Sequence, residues 1–465
     1  MKSMPREKRI KYAGLIPKNI DYFLVFLLYF FPHLFMSFNR WDDILYTAYL
    51  EEYNYNLFGF VYRQYQYWTS RVVIEAAVVL FGWLPPFIWV IVDTLMIVWL
   101  YNSMSGIIRL LLQKQEMDGK YRLCQMLLFL SFPYALMATA GWLTTTINWT
   151  WMLASFAYSI KILLYAVNGK NKPGKVIKNI FFCMACIYGT NFDVAAVMMI
   201  GILFIIGFAC FKSSSCQFCL EYWEGAVITV ANLILFLACP GNHVRMERDA
   251  VLHNTADVLA LSFWGKIRMG INSAFYHYMS IPNAVLFTFC VIILIAVLIH
   301  NKKMITRIIA FVPVGITIVW TGYVFFAYTV KNRSLTYIYP DASFNVCPKT
   351  EQYLALISAL VLAASIIYLL WQITSEIRLF VPLGAAFLVW GLFPDVVLGF
   401  TSTISASILR VVSFLYLAFI LISCVVIEYS GMLKRHMIRC GIVFLGILGF
   451  ILNFAQMIRH IIVYG

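Results

Sequence analysis

Two adjacent carboxylates, Asp42 and Asp43, follow the first long apolar segment of a chain in which charged residues are scarce. Ionised carboxylates side by side raise each other's pKa, and nearby lipid adds to the effect. A carboxylate within reach of a substrate hydroxyl can act as a general base. The doublet therefore predicts a catalytic or substrate-orienting role for at least one member. The structural alternative is that Asp42 caps a helix starting at Ile44.

Arginines supply positive charge close to this doublet in the sequence. Arg71 heads an apolar run and follows Arg63 and Tyr67 at helical spacing. An arginine near the membrane interior is costly unless it is paired, and its guanidinium can hold phosphate oxygens bidentately. Phosphate binding by Arg71 and an ion pair with Glu75, one helical turn on, both stay open and are compatible.

Two further arginines follow breaks in apolar segments. In residues 239–245 (CPGNHVR), Pro240 and Gly241 predict a tight turn at the membrane face. This loop would present Asn242, His243 and Arg245. Arg245 or Arg248 could bind a phosphate, and the alternative is an arginine that snorkels to the surface from a plain turn. Arg410 closes the hydroxyl-rich stretch 401–409, and either binds a ligand or pairs with Asp395, the nearest acid in sequence.

Other polar groups interrupt apolar segments. Asn148 and Trp149 begin one segment, and Asn191 and Asp193 lie inside another apolar region. Polar groups at such positions usually face a cavity rather than lipid. An aromatic ring there can stack on a sugar, although a membrane-surface aromatic belt accounts for Trp149 without any ligand.

The elements that position these residues must be membrane helices. Hydrophobic residues make up 62% of the chain and charged residues 12%, whereas soluble domains carry about 25% charged residues. A span needs about 20 mostly apolar residues, and the runs predict an all-α polytopic protein, one domain over 1–465, with about 11 to 14 transmembrane helices. The predicted spans are 21–39, 85–111, 121–138, 149–168, 178–190, 192–211, 223–239, 281–299, 307–329, 352–373, 379–396, 409–428 and 439–459.

Charge sets the predicted orientation. A basic tail over 1–20 and basic short loops such as 169–178 indicate the cytoplasmic side, so Asp42 and Asp43 emerge outside. The outer loops 40–84 and 240–280 are predicted to contain amphipathic helices at the membrane surface, and 330–351 an ordered loop. One such helix would run on from Phe58, placing Arg63, Tyr67, Arg71 and Glu75 along one face.

Several functions are disfavoured by the sequence. No GxxxxGK[ST] loop is present, so no ATP site is indicated. The eleven scattered cysteines favour free or membrane-buried thiols over a zinc site, and the net charge of +14 is explained by basic cytoplasmic loops rather than nucleic acid. The absence of a series of ionisable residues within any span weakens an ion-coupled transporter.

Four motifs give the chain a resemblance to the GT-C superfamily, membrane glycosyltransferases that use polyprenyl-phosphate sugars. The likeness is closest to the bacterial serotype-converting type, which decorates O-antigen or other surface polysaccharide. Three of the motifs are RWDDILYTAY (40–49), YWTSRVVIE (67–75) and CPGNHVR (239–245). The fourth is NFDVAA (191–196), in which Asp193 stands where the family has Glu.

The resemblance implies a GT-C-like fold and transfer of a hexose, often glucose, from a polyprenyl phosphate. The acceptor would be a lipid-linked or cell-surface glycan on the outer face of a bacterial cytoplasmic membrane, and the anomeric carbon would invert. Asp42 or Asp43 would be the base, and Arg71, Arg245, Arg410 and Arg63 would hold the donor phosphate. The residues predicted to contact substrate are Asn242, His243, Asn148, Trp149, Asp193, Tyr67 and Glu75. Some relatives use a divalent cation, so Mg or Mn at the doublet is a further expectation.

Three other functions compete with this interpretation. An O-antigen polymerase or ligase also places arginines outside and acts on lipid-linked glycans, so the sequence separates it poorly. A flippase or exporter would line a path through the bundle with cations, whereas these arginines gather on one side. A scaffold without chemistry leaves the acids and arginines at the outer mouth unexplained.

Overall fold

The computed structural model describes residues 19–38, 40–138, 140–168, 175–212, 219–252, 260–280, 284–300, 303–329, 349–374, 380–401 and 410–464. These residues form helices and connecting turns without any strand. The all-α class is therefore confirmed. The third outer loop falls almost wholly in 330–348 and, like most of the basic tail, lies outside the described residues.

The helices are numbered here in chain order. The first ten are α1 Ile20–His33, α2 Trp41–Glu52, α3 Leu57–Tyr67, α4 Val72–Trp83, α5 Pro86–Leu111, α6 Gly119–Leu130, α7 Trp142–Asn148, α8 Thr150–Val167, α9 Lys175–Gly189 and α10 Asp193–Lys212. The remainder are α11 Leu220–Leu237, α12 Pro240–Leu252, α13 Phe263–Ser280, α14 Val285–His300, α15 Met304–Thr329, α16 Lys349–Thr374, α17 Phe380–Leu398, α18 Ser413–Tyr429 and α19 His436–Tyr464.

Membrane-spanning helices occupy the predicted positions. Within the described ranges, seven helical segments are long and apolar enough to cross a bilayer: Pro86–Leu111, Trp142–Val167, Asp193–Phe211, Leu220–Leu237, Met304–Phe326, Thr350–Thr374 and His436–Val463. Shorter apolar helices cover Ile20–His33, Val72–Trp83, Val176–Gly189, Val285–His300 and Ser413–Tyr429. The chain is thus a multi-pass membrane protein. The span predicted at 121–138 is interrupted, because α6 ends at Leu130 and a separate 3-10 turn covers Tyr134–Ala138 after Pro133.

The core lies between α5, α8 and their neighbours. α5 packs along α8 and α1, α8 along α9, and α18 against α14 and α17. Large aromatic side chains such as Trp89, Trp142 and Tyr416 are fully buried there. Because lipid solvates the outer surface, many apolar residues of α11, α15 and α16 remain exposed on the molecule. α5 and α8 are therefore the central helices of the bundle, and the other helices pack around them.

Both predicted surface helices differ from expectation. The helix expected from Phe58 onwards breaks after Tyr67 and resumes at Val72, so the predicted face of Arg63, Tyr67, Arg71 and Glu75 is wrong. In α13, Asn272 and Ser273 were expected on a polar face at the membrane surface, but both are buried. Gly270 packs directly on the backbone of α17, which draws this side of α13 into the bundle.

Candidate active site

The two carboxylates of the acidic doublet have different surroundings in the structure. α2 begins at Trp41, with Arg40 as N-cap, so both carboxylates lie in its first turn and Asp42 does not cap a helix starting at Ile44. Asp43 is fully buried and accepts hydrogen bonds from the backbone N–H of Leu143 (3.2 Å) and from the N–H and hydroxyl of Thr144 (2.8 and 2.7 Å). It thus satisfies the free N–H groups at the start of α7, a capping role carried out from another helix.

The approach of Asp43 to α7 depends on Gly141. This residue has φ of +137°, and a Cβ built on it would lie 2.5 Å from Asp43 Cγ. A second contact, from Asp42 N–H to Ala140 O (2.7 Å), fixes the backbone of α2 to the same segment. Burial raises the pKa of Asp43 to about 6, against hydrogen bonds from Thr144 and Leu143, and the charge of Asp42 adds to the rise. Asp43 is therefore a structural acid and Asp42 the accessible one.

Asp42 faces a guanidinium from the far end of the chain. Arg410 Nη1 lies 3.5 Å from Asp42 Oδ2, and the two side chains are 15% and 39% exposed. The predicted structural pair of Arg410 with Asp395 does not form, since Asp395 accepts instead from the Tyr278 hydroxyl at 3.2 Å. Burial raises the pKa of Asp42, and Arg410 opposes that rise. This pair provides an accessible carboxylate beside a fixed positive charge.

Tyr46 connects this pair to a second acid. One helical turn after Asp42, its hydroxyl donates to Glu75 Oε1 at 3.1 Å. The charges of Asp42, Arg71 and Arg410 all act on Tyr46. Tyr46 lies within the RWDDILYTAY motif but was not among the predicted site residues, although its i to i+4 spacing from Asp42 on a helix was a usable signal. The side chains of α2 and α4 therefore meet at Tyr46.

Arg71 pairs with Asp193 rather than with Glu75. Its Nη2 lies 3.7 Å from Asp193 Oδ1, and its Cζ lies 3.8 Å from the centre of the Phe192 ring. Phe192 in turn packs edge-on against Trp149 at 4.6 Å. Burial lowers the pKa of Arg71 to about 10, while Asp193 opposes the change, so Arg71 is a cation at neutral pH.

The side chain of Asn191 accounts for the start of a new helix after Arg71. Its Oδ1 accepts from the N–H groups of Val73 (2.9 Å) and Ile74 (3.3 Å), at the first turn of α4. Its amide also donates to Asn232 on α11 at 3.2 Å. A side chain from the α9–α10 connection therefore starts α4 afresh and holds Arg71 at its N-terminus. The NFDVAA motif contributes a helix cap, a ring under a guanidinium and an acid.

The CPGNHVR segment is a helix start rather than a loop. Pro240 is the first residue of α12. A Cβ built on Gly241 would lie 2.5 Å from the backbone nitrogen of Trp68, so α12 packs directly on the end of α3. Asn242 donates to Phe236 O at 3.0 Å, and His243 is exposed on the helix. Arg245 Cζ lies 5.6 Å from the Trp68 ring, and its charge reaches Arg71 and Glu75.

The remaining predicted site residues lie further out or within the packing. Tyr67 is exposed at the end of α3, and Arg63 Cζ lies 4.0 Å over the ring of Tyr49. Asn148 donates to Thr144 O at 2.8 Å, and Trp149 is buried rather than part of a surface belt. The structure thus brings together Asp42, Arg410, Glu75, Arg71, Asp193 and Arg245, with Asp43 beneath.

A polar cluster that sequence analysis missed lies within the core. Asp93 of α5 is fully buried and accepts from Trp151 Nε1 (2.7 Å) and from the Tyr134 hydroxyl. His33 Nε2 lies 2.8 Å from Asp93 Oδ2, while its Nδ1 lies 2.7 Å from Tyr29 O. A carbonyl only accepts, so His33 Nδ1 donates to Tyr29 O in this arrangement. The sequence signal for this cluster was the presence of two ionisable residues, His33 and Asp93, within predicted spans.

Both oxygens of Asp43 accept hydrogen bonds from α7, so Asp42 is the more accessible carboxylate of the doublet. Mg or Mn at the doublet stays a prediction. Comparison with known proteins gives no match to a family model, a curated protein or a solved structure.

Proposed function

We propose that this protein is an inverting membrane glycosyltransferase that moves a hexose from a polyprenyl phosphate to a lipid-linked or cell-surface glycan. The observation that carries the proposal is the meeting of Asp42 and Glu75 with Arg410 and Arg71 around Tyr46. These groups come from α2, α4 and the residues before α18, at the end of the bundle predicted to face outwards. The bacterial cytoplasmic membrane is the proposed location.

In this mechanism Asp42 takes the proton of the acceptor hydroxyl. The freed oxygen bonds to the anomeric carbon of the donor sugar while the bond from that carbon to the phosphate oxygen breaks. The bonding electrons leave with the polyprenyl phosphate. A single displacement of this kind inverts the anomeric carbon, and stabilising the charge on the leaving phosphate is the larger electrostatic task.

Arg410 and Arg71 are suited to that task because their ion pairs are loose. Their nitrogen–oxygen distances of 3.5 and 3.7 Å exceed the 2.7–2.9 Å typical of charge-assisted hydrogen bonds. A phosphate can therefore attract both guanidinium groups without breaking short bonds. Arg245, whose charge already reaches Arg71, adds a third cation to the same phosphate.

Removing the two guanidinium groups tests donor binding. Arg71→Gln and Arg410→Gln are each expected to weaken binding of a short-chain polyprenyl phosphate by about tenfold or more, since hydrogen bonds to charged groups contribute about 1.5–3 kcal/mol. Affinity is measured on purified protein in nanodiscs.

The matched control is Arg122→Gln, which removes a similar loose pair, Arg122 with Asp21 at 3.4 Å, at the other end of the bundle. This variant should bind the lipid phosphate as wild type does. Unchanged affinity in both Arg71→Gln and Arg410→Gln would remove the phosphate assignment.

A further inference from the structure

A second group of arginines lies outside the carboxylate centre, stacked on aromatic rings. Arg63 of α3 lies with its Cζ 4.0 Å from the centre of the Tyr49 ring on α2. Arg248 of α12 has its Cζ 5.6 Å from the Trp68 ring, as does Arg245 one turn earlier. Three short helices thus present guanidinium groups and ring faces side by side.

The packing of α12 on α3 fixes this arrangement. The Cys239 thiol donates to Tyr65 O at 3.1 Å, and the Tyr65 hydroxyl donates to Ala238 O at 3.3 Å. Gly241 allows the first turn of α12 to touch the backbone at Trp68. Because α12 cannot shift along α3, Arg245 and Arg248 stay above the same ring.

Arg63 and Arg248 differ in charge balance from Arg71 and Arg410 of the centre. Arg71 and Arg410 each have an acid within ion-pairing distance. Arg63, Arg245 and Arg248 have none among the residues described. Arg63 and Arg248 act instead on the Tyr49 hydroxyl and lower its pKa, although burial alone would raise it. Uncompensated guanidinium groups held in place by rings are ready to receive anions.

We propose that the surface formed by Tyr49, Arg63, Trp68 and Arg248 binds the acceptor, and that this acceptor is an acidic glycan carrying uronate or phosphate groups. The proposal rests on the proposed function. The guanidinium groups pair with carboxylates or phosphates of the glycan, and the aromatic rings beneath them hold them in position. Arg245 lies over the same Trp68 ring and its charge acts on Arg71 and Glu75, so this surface borders the charged centre.

The test uses the full chain in nanodiscs of phosphatidylcholine, with a short oligogalacturonate as the acidic probe and its methyl ester as the neutral one. Wild type should bind the acid form and bind the ester at least tenfold more weakly. Arg63→Gln/Arg248→Gln should lose about tenfold or more in affinity for the acid form, and Arg63→Lys/Arg248→Lys should retain an intermediate affinity. Thermal unfolding of each variant checks that the fold is intact.

The control Lys120→Gln/Lys434→Gln removes the same charge from exposed positions at the predicted cytoplasmic end, and should bind as wild type. Equal affinity of the Arg63→Gln/Arg248→Gln variant and wild type for oligogalacturonate would overturn the proposal. So would arginine-dependent binding to phosphatidylglycerol vesicles without binding to oligogalacturonate, which would assign the surface to anionic lipid. This assay contains no donor, so it is independent of the polyprenyl phosphate binding assay described above. Failure of wild type to bind polyprenyl phosphate in that separate assay would count against the proposed function alone.

Discussion

Asp42→Asn is expected to lower the rate of sugar transfer by about 10²- to 10⁴-fold, the usual contribution of a positioned general base. The amide cannot accept the acceptor's proton, yet it keeps the size of the side chain beside Arg410. Donor binding should change little, so the loss should appear in kcat. The measurement is steady-state transfer by purified enzyme with a polyprenyl-phosphate hexose.

Asp43→Asn provides the contrast, because Asp43 is engaged by α7. The amide oxygen can still accept from Thr144, but the amide nitrogen would face the Leu143 N–H. The expected effect is therefore a lower unfolding temperature with a smaller loss in kcat. Glu75→Gln tests the other acid at Tyr46. A normal transfer rate in Asp42→Asn, or a loss confined to Glu75→Gln, would contradict the assignment of Asp42.

The pH profile gives Asp42 a second readout. A general base works when ionised, so transfer should fall as pH drops through the pKa of Asp42. Burial raises that pKa, which places the acid limb of kcat/KM above the ordinary aspartate value of about 3.9. Because Arg410 holds the pKa down, Arg410→Gln should move the limb to still higher pH.

Asp93→Ala is expected to lower the free energy of unfolding by about 3 kcal/mol or more, because several buried groups lose their shared acceptor and each unsatisfied group costs about 1–3 kcal/mol. The change leaves His33, Tyr134 and the Trp151 N–H without their shared acceptor. These residues come from α1, α8 and the 3-10 turn that precedes α7, so the loss should loosen the support beneath Asp43. Unfolding in detergent by denaturant or heat measures the effect.

Two comparisons sharpen this prediction. Glu52→Ala removes an exposed acid and should change the free energy of unfolding by less than about 0.5 kcal/mol. His33→Leu/Asp93→Leu should cost less than the sum of its single changes, since each single change already breaks the contact between the two side chains. An Asp93→Ala variant as stable as Glu52→Ala would contradict a structural role for the cluster.

Helix positions were predictable from sequence because each apolar run must satisfy its own backbone in lipid. Partners were not predictable, because they depend on which helix ends meet. Arg71 was expected to pair with Glu75 along one helix, but Asn191 restarts the helix at Val72 and the pair forms with Asp193. Asp42 meets Arg410, which the sequence places near Asp395. Asp43 likewise has its hydrogen-bond partners on α7, a helix distant from it in the sequence.

Donor choice tests the central claim most directly. Purified protein is supplied separately with undecaprenyl-phosphate glucose and with an undecaprenyl-diphosphate oligosaccharide, together with a lipid-linked acidic glycan. The released lipid and the anomer of the product are determined by NMR. We predict release of undecaprenyl monophosphate from the first donor, with inversion at the anomeric carbon. Turnover of the diphosphate donor alone, with release of undecaprenyl diphosphate, would contradict the account and identify a polymerase or ligase.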